Sequence, residues 1–193
     1  MTLLSKISFI ILLLCSCGLK AQSLAYNTTD KDTGNRFVIT RNSHSPSLRM
    51  DDSVAKYAAV FFAVGCQTSK PGGKPLETYY IELDIIHNDN RIGCLQELTG
   101  KIILELEDGT TIECFQISPS DCDKSAFKAG YALMKRSDEK GAMKANLQKL
   151  ITTEIEKIKV FTTEKELEYV IKSKDKELMK KHFALVDKTI SGK

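Results

Sequence analysis

Four cysteines beyond the first 22 residues carry the most specific chemistry in this sequence: Cys66, Cys94, Cys114 and Cys122. Stretches of 27, 19 and 7 residues separate them, and no pair has the short gap of a typical structural zinc site. An even count in an exported chain favours disulfides instead. Three pairings are open. We favour Cys66 with Cys94, which links two positions near loops, and Cys114 with Cys122, which closes a short loop after a strand.

The three histidines give little support for nucleophilic catalysis. His44 lies in a Ser-rich loop and His182 lies on the last predicted helix, whereas His87 ends a strand close to Asp89. A nucleophile needs an adjacent base and a group that orients this base. A site that combined His87 with a cysteine would need a reduced thiol, which export disfavours. We therefore expect His87 to be an ordinary surface or strand-end residue, and we assign no catalytic residue.

Paired carboxylates are the other candidate for chemistry. Glu82 and Asp84 share one face of a predicted strand, and Glu105 and Glu107 share a face of another. A glycosidase needs two carboxyl groups about 5–10 Å apart. However, acids that alternate along a half-solvated strand usually just form the solvent-exposed face of that strand. The loop Lys70–Lys74 lacks the length and the following helix of a phosphate-binding loop. We expect neither a cofactor nor a metal.

The first 22 residues predict export. Lys6 precedes a compact apolar run, Ile7–Leu14, interrupted only by Ser8. This run is too short to span a bilayer and is typical of a secretory signal peptide, here cleaved near Ala21 or Gln22. Alternatively, Leu14–Cys17 is similar to a lipobox, in which case Cys17 is lipidated and tethers the protein to the membrane. Cleavage of the signal peptide makes the protein periplasmic or extracellular, and lipidation makes it an envelope lipoprotein.

Charge excludes one class of partner. Residues 23–193 carry 26 basic and 25 acidic side chains, so nucleic-acid binding is not expected. Residues 23–123 have a net charge of −6 and residues 124–193 a net charge of +7. We expect these two halves to neutralise each other in part. The alternative is that residues 124–193, the basic half, bind an anionic ligand of the envelope.

Hydrophobic periodicity places these residues on strands and helices. Residues 23–35 are polar and predict a flexible lead. Alternation then predicts about six strands, followed by a helix, two more strands and a last helix. The strongest signal is a hairpin over Lys101–Ile117, in which Asp108-Gly109 favours a type I′ turn. Met143, Leu147, Leu150 and Ile151 lie on one face of the first helix, and Met179, Phe183, Val186 and Ile190 on one face of the second.

Tight turns between successive strands imply antiparallel pairing. The predicted class is therefore α+β: an antiparallel sheet of about 6–8 strands, a meander or a small barrel-like sheet, with one or two helices packed on one side and the C-terminal helix last. We predict a signal peptide over 1–22, a flexible lead over 23–35 and a single α+β domain over 36–193.

The second half of the sequence has a recurring pattern of elements. It comprises the helix residues Leu147–Leu150, the strand Ile155–Thr163, the strand Leu167–Ile171 and the earlier hairpin Leu106–Thr110. This pattern resembles the ending of small exported proteins of Bacteroidetes-type bacteria. The resemblance implies the fold and the compartment, and it implies no activity. Asp52-Ser53-Val54 is also similar to the three-residue O-glycosylation signal of these bacteria, with Ser53 as the acceptor.

These observations predict an exported, non-enzymatic binding or interaction module of the bacterial cell envelope, with a protein or an envelope molecule as its ligand. The alternative is a small periplasmic hydrolase that uses Glu82 and Asp84.

Overall fold

The computed structural model describes residues 23–44, 49–50, 59–87, 90–96, 99–123, 126–139 and 141–192. These residues form twelve strands and two α-helices. Helix α1 (Ala142–Thr152) lies between the tenth and eleventh strands, and helix α2 (Ser173–Ser191) follows the last strand. The strands are β1 (Leu24–Thr29), β2 (Arg36–Thr40), β3 (Ser43–His44), β4 (Arg49–Met50), β5 (Ala59–Ser69), β6 (Leu76–Ile86), β7 (Lys101–Leu106), β8 (Thr111–Gln116), β9 (Asp121–Asp123), β10 (Ala126–Ala132), β11 (Ile155–Phe161) and β12 (Glu166–Val170).

All strands belong to one antiparallel sheet in the order β1-β2-β5-β6-β10-β8-β7-β11-β12-β4, with β3 also paired to β5 and β9 to β10. Nine of these strands are at least five residues long. The predicted α+β class, with an antiparallel sheet and the C-terminal helix last, is confirmed.

The sheet must be strongly curved. Eight steps between neighbouring strands separate β3 from β4 along the sheet, which is about 38 Å on a flat sheet. Only residues 45–48 connect these two strands, and such a connection reaches at most about 19 Å. The two ends of this open sheet are therefore brought toward each other, and one face becomes concave.

The concave face and the two helices form the core. Strand residues alternate between this face and solvent, as in β7, where Ile102 and Leu104 are buried and their neighbours are half-buried. Helix α1 contributes its predicted stripe of Met143, Leu147 and Leu150, and α2 contributes Met179, Phe183 and Val186. Helix α2 packs mainly on β5 and β2, and α1 packs on α2 and β6.

The hairpin over β7 and β8 is present, but its predicted type I′ turn is wrong. The amide of Gly109 donates to the carbonyl of Leu106 at 3.0 Å, and the amide of Leu106 donates to the carbonyl of Thr110 at 2.9 Å. This pattern is a three-residue loop, Glu107 to Gly109. Gly109 takes the left-handed position with φ of 79°, as in a type I turn followed by a bulge.

The predicted flexible lead over residues 23–35 is also wrong, because it contains β1. This strand pairs with β2 from Leu24 opposite Thr40 to Thr29 opposite Arg36. All of its residues after Leu24 are exposed, so an edge strand of this kind carries no alternating apolar signal.

The predicted cysteine pairs, Cys66 with Cys94 and Cys114 with Cys122, are wrong. Cys66 and Cys114 are free thiols with fully buried side chains on β5 and β8. Both point into the concave face, where a cysteine behaves as a small apolar residue. Cys94, in the loop before β7, is disulfide-bonded, and Cys122 lies on β9.

Three predictions of the sequence fall on residues outside the described ranges. These are the signal peptide over 1–22, the alternative lipidation of Cys17 and the O-glycosylation of Ser53. Within the described ranges, neither helix has the length and the apolar character that a membrane span requires.

We predict that Cys94 pairs with Cys122, because Cys66 and Cys114 are free and Ser120 Oγ, close to Cys122, donates to the carbonyl of Leu95 at 3.1 Å. In protein purified without reductant and alkylated in denaturant, Cys66 and Cys114 should react, whereas Cys94 and Cys122 should react only after reduction. Closing this loop should stabilise the fold by about 2–4 kcal/mol. Peptide mass mapping reads the pairing, and alkylation of Cys122 before reduction would contradict it.

Candidate functional site: a cavity between β6 and α1

A cavity of about 360 Å³ lies where the start of β6 meets the first turn of α1. Its volume is at the lower end of the range for small-molecule sites. Its lining combines apolar and polar side chains: Pro75, Leu76, Glu77, Tyr79, Met143 and Lys144. The turn Pro71–Gly73 precedes β6, and Leu76, the first residue of this strand, is 41% exposed at the mouth of the cavity.

A chain of polar contacts crosses the cavity. The Tyr79 hydroxyl donates to Glu77 Oε2 at 2.7 Å and accepts a hydrogen bond from Lys144 Nζ at 3.0 Å. The Lys144 ammonium group also lies 4.8 Å from the centroid of the Tyr79 ring and 2.7 Å from Asp187 Oδ1. Strand alternation explains the start of this chain, because residues two apart on β6 project to the same face.

The same contacts hold the helices against the sheet. Asp187 on α2 binds Lys144 on α1 and also accepts a hydrogen bond from Gln148 Nε2 at 3.3 Å. Partial burial alone would raise the pKa of Asp187, but the hydrogen bonds from Lys144 and Gln148 outweigh it and lower this pKa. In addition, the Tyr79 amide donates to Met143 Sδ at 3.0 Å. These contacts therefore link β6, α1 and α2 beside the cavity.

Burial holds Tyr79 and the two free thiols in their neutral forms. Burial, followed by the hydrogen bond to Glu77, raises the pKa of Tyr79 well above its ordinary value, so the phenol stays a hydrogen-bond donor. Cys66 pairs with Tyr79 across β5 and β6. Burial raises the pKa of the Cys66 thiol to about 12, and burial also raises the pKa of Cys114. Neither thiol ionises at neutral pH, which a nucleophilic cysteine requires.

The predicted carboxylate pairs lie away from this cavity. Glu82 Oε1 is 3.0 Å from Lys128 Nζ, and neither Glu82 nor Asp84 lines the cavity. Glu105 binds two lysines of β11 at 2.8 and 3.7 Å, and these contacts lower its pKa, chiefly through the hydrogen bond from Lys159. Glu107 lies in the hairpin turn and accepts the amide of Glu154. Glu82 and Glu105 therefore form cross-strand ion pairs.

The lysines of α2 are partly neutralised by acids of the same half of the chain. Lys176 Nζ lies 2.7 Å from Glu156 Oε1. Lys180 lies 3.9 Å from Glu154 and 3.4 Å from Glu177. A uniformly positive helix face is therefore not present over these residues, although exposed pairs of this kind add little stability.

A second polar cluster joins two positions that the sequence keeps far apart. His182 on α2 is 2% exposed; its Nε2 lies 3.0 Å from Ser43 Oγ and its Nδ1 lies 2.7 Å from Thr40 Oγ1. The distances match those between a serine nucleophile, its base and an orienting group.

The hydrogen bonds tie His182 to two strands. Thr40 Oγ1 accepts the amide of Val64 at 3.0 Å, and because a hydroxyl oxygen has two lone pairs it can either donate to His182 Nδ1 or accept from it. When Thr40 donates, Nε2 carries the imidazole proton and donates it to Ser43 Oγ. In this tautomer His182 has no lone pair to take a proton from Ser43. Burial also lowers the pKa of His182 to about 4, which makes it a weak base. The cluster joins α2 to β2 and β3.

The other sequence candidates do not form a site. His87 directly follows β6, which agrees with the strand-end prediction, but its side chain is buried and not on the surface, with its ring centroid 5.0 Å from that of Phe127. His44 lies on β3. Over the described residues, no group of three or more His, Cys, Asp or Glu side chains is placed to hold a metal ion.

Sequence reasoning missed the residues of the cavity. Glu77 and Tyr79 were recognisable as neighbours on one strand face, but Lys144 and Asp187 reach them only through the packing of α1 and α2. No local sequence pattern predicts a contact between side chains of separate helices and a strand.

Comparisons with known proteins add no functional assignment. No protein-family model matches this sequence, and no curated protein or solved structure matches it.

The buried imidazole makes stability depend on pH. Unfolded His182 binds a proton near pH 6.5 and folded His182 only near pH 4, so the unfolded state binds more protons between these values. Stability should fall by about 3 kcal/mol as pH drops from about 6.5 to about 4. Denaturant unfolding across this range measures it. In His182→Gln, which can keep both hydrogen bonds, this part of the slope should vanish; an unchanged slope would assign it to other groups.

Proposed function

We propose that the protein is an exported, non-enzymatic binding module of the bacterial cell envelope, and that the cavity between β6 and α1 takes a small ligand or a side chain of a partner. The observation that carries this proposal is the cavity itself. It places an apolar rim beside polar groups whose positions are held by Tyr79, Lys144 and Asp187, and such a combination is typical of ligand sites.

The chemistry of the described residues supports binding over catalysis. Tyr79 is held protonated, and Lys144 is engaged by Asp187. The free thiols are buried and un-ionised. The hydrolase alternative has less support, because Glu82 is neutralised by Lys128 on the solvated face.

Two features support export. Residues 1–22 have the composition of a signal peptide, and Cys94 is disulfide-bonded, which is typical of oxidising compartments. A cleaved signal gives a periplasmic or extracellular protein, and lipidation of Cys17 gives a membrane-tethered one.

Ligand entry into the cavity is testable by filling its mouth. We expect at least one of three probes that share a phenethyl group, phenethylamine, phenethyl alcohol and hydrocinnamate, to shift the amide resonances of Leu76, Glu77 and Lys144 saturably. Leu76→Trp should abolish these shifts, because the larger ring occupies the mouth. Ile86→Trp is the matched control, since Ile86 is on the same strand and has the same 41% exposure. Saturable shifts for none of the probes would contradict the proposal.

Export is tested on the full chain expressed in a Bacteroidetes-type host. We expect the protein in the envelope or the medium, with an N-terminus near Ser23 or an acyl group on Cys17, as intact mass measures. A cytoplasmic protein that retains Met1 to Gln22 would contradict this part of the proposal.

A further inference from the structure

Resting on the proposed binding function, we propose that the cavity is selective for organic cations: a primary amine or a guanidinium group attached to an apolar moiety. The inference starts from the charges around the cavity. Glu77 and Lys144 line it, and Asp187 lies directly behind Lys144 at 2.7 Å. Two carboxylates and one ammonium group leave a net charge of −1.

The positive charge of this set is already satisfied. Lys144 Nζ contacts the carboxylate of Asp187, the hydroxyl oxygen of Tyr79 and the face of the Tyr79 ring. Carboxylate and ring both stabilise an ammonium group. A ligand anion would have to compete with Asp187 for this lysine.

Glu77 is an exposed side chain, and among the described residues its carboxylate is not paired with an ammonium group in the way that Asp187 is paired with Lys144. One of its oxygens accepts the neutral hydroxyl of Tyr79. Of the ion pairs formed by residues in the described ranges, none involves Glu77. A cationic ligand therefore supplies the charge that complements this side of the cavity.

The remaining lining sets the shape of the ligand. Pro75, Leu76 and Met143 form an apolar wall beside Glu77, so a ligand gains by placing an apolar group there and its charged nitrogen at the carboxylate. A cavity of about 360 Å³ accommodates a small amine or the side chain of a lysine or arginine in a partner peptide.

The test uses phenethylamine, phenethyl alcohol and hydrocinnamate at one ionic strength, with affinities measured by calorimetry. We expect the amine to bind about three- to fivefold more tightly than the alcohol, because it forms an ion pair with an exposed carboxylate, and hydrocinnamate to bind most weakly. Raised salt should weaken binding of the amine and leave that of the alcohol nearly unchanged.

Glu77→Gln removes the charge and keeps an acceptor for the Tyr79 hydroxyl. It should abolish the preference for the amine while the affinity for the alcohol stays the same. The control Glu164→Gln removes an exposed charge outside the cavity lining and should keep the preference. Equal affinities for amine and alcohol, tighter binding of hydrocinnamate, or an unchanged preference in Glu77→Gln would overturn the inference and leave the binding function standing. Absence of binding by all three probes would defeat the binding function itself.

Discussion

The short connection between β3 and β4 constrains the whole molecule. Residues 45–48 must join strands that are eight positions apart in the sheet. The sheet is therefore curved, and apolar side chains must cover its concave face. Helix α2 supplies it with Phe183 and Val186. Helix α1 then packs at the rim, between α2 and β6. The cavity lies where the first turn of α1 meets the start of β6.

Elements with strong periodicity could be predicted from the sequence, and elements without it could not. The hairpin of β7 and β8 and the stripes of both helices bury one face, so their apolar residues recur with the right period. Strand β1 is an exposed edge, and β3, β4 and β9 are two or three residues long. Their pairing is set by the partner strand, which leaves no pattern in their own residues.

The site was less predictable than the fold for a related reason. Glu77 and Tyr79 are near neighbours on β6, whereas Lys144 and Asp187 come from two helices and meet across 43 residues of sequence. His182 and Ser43 are 139 residues apart. The cysteines were misassigned because export argues for oxidised thiols, while the alternation of β5 and β8 buries Cys66 and Cys114 singly in the core.

One polar chain thus has two consequences. The contacts from Glu77 through Tyr79 and Lys144 to Asp187 hold both helices on the sheet, and they leave the Glu77 carboxylate beside the apolar residues that line the cavity.

The most direct test of cation binding in this cavity is a crystal structure of the protein grown with phenethylamine. It should place the amine in the cavity, with its nitrogen within hydrogen-bond distance of the Glu77 carboxylate and its ring on Leu76 and Met143. An empty cavity at saturating amine, or an amine bound elsewhere, would contradict the account.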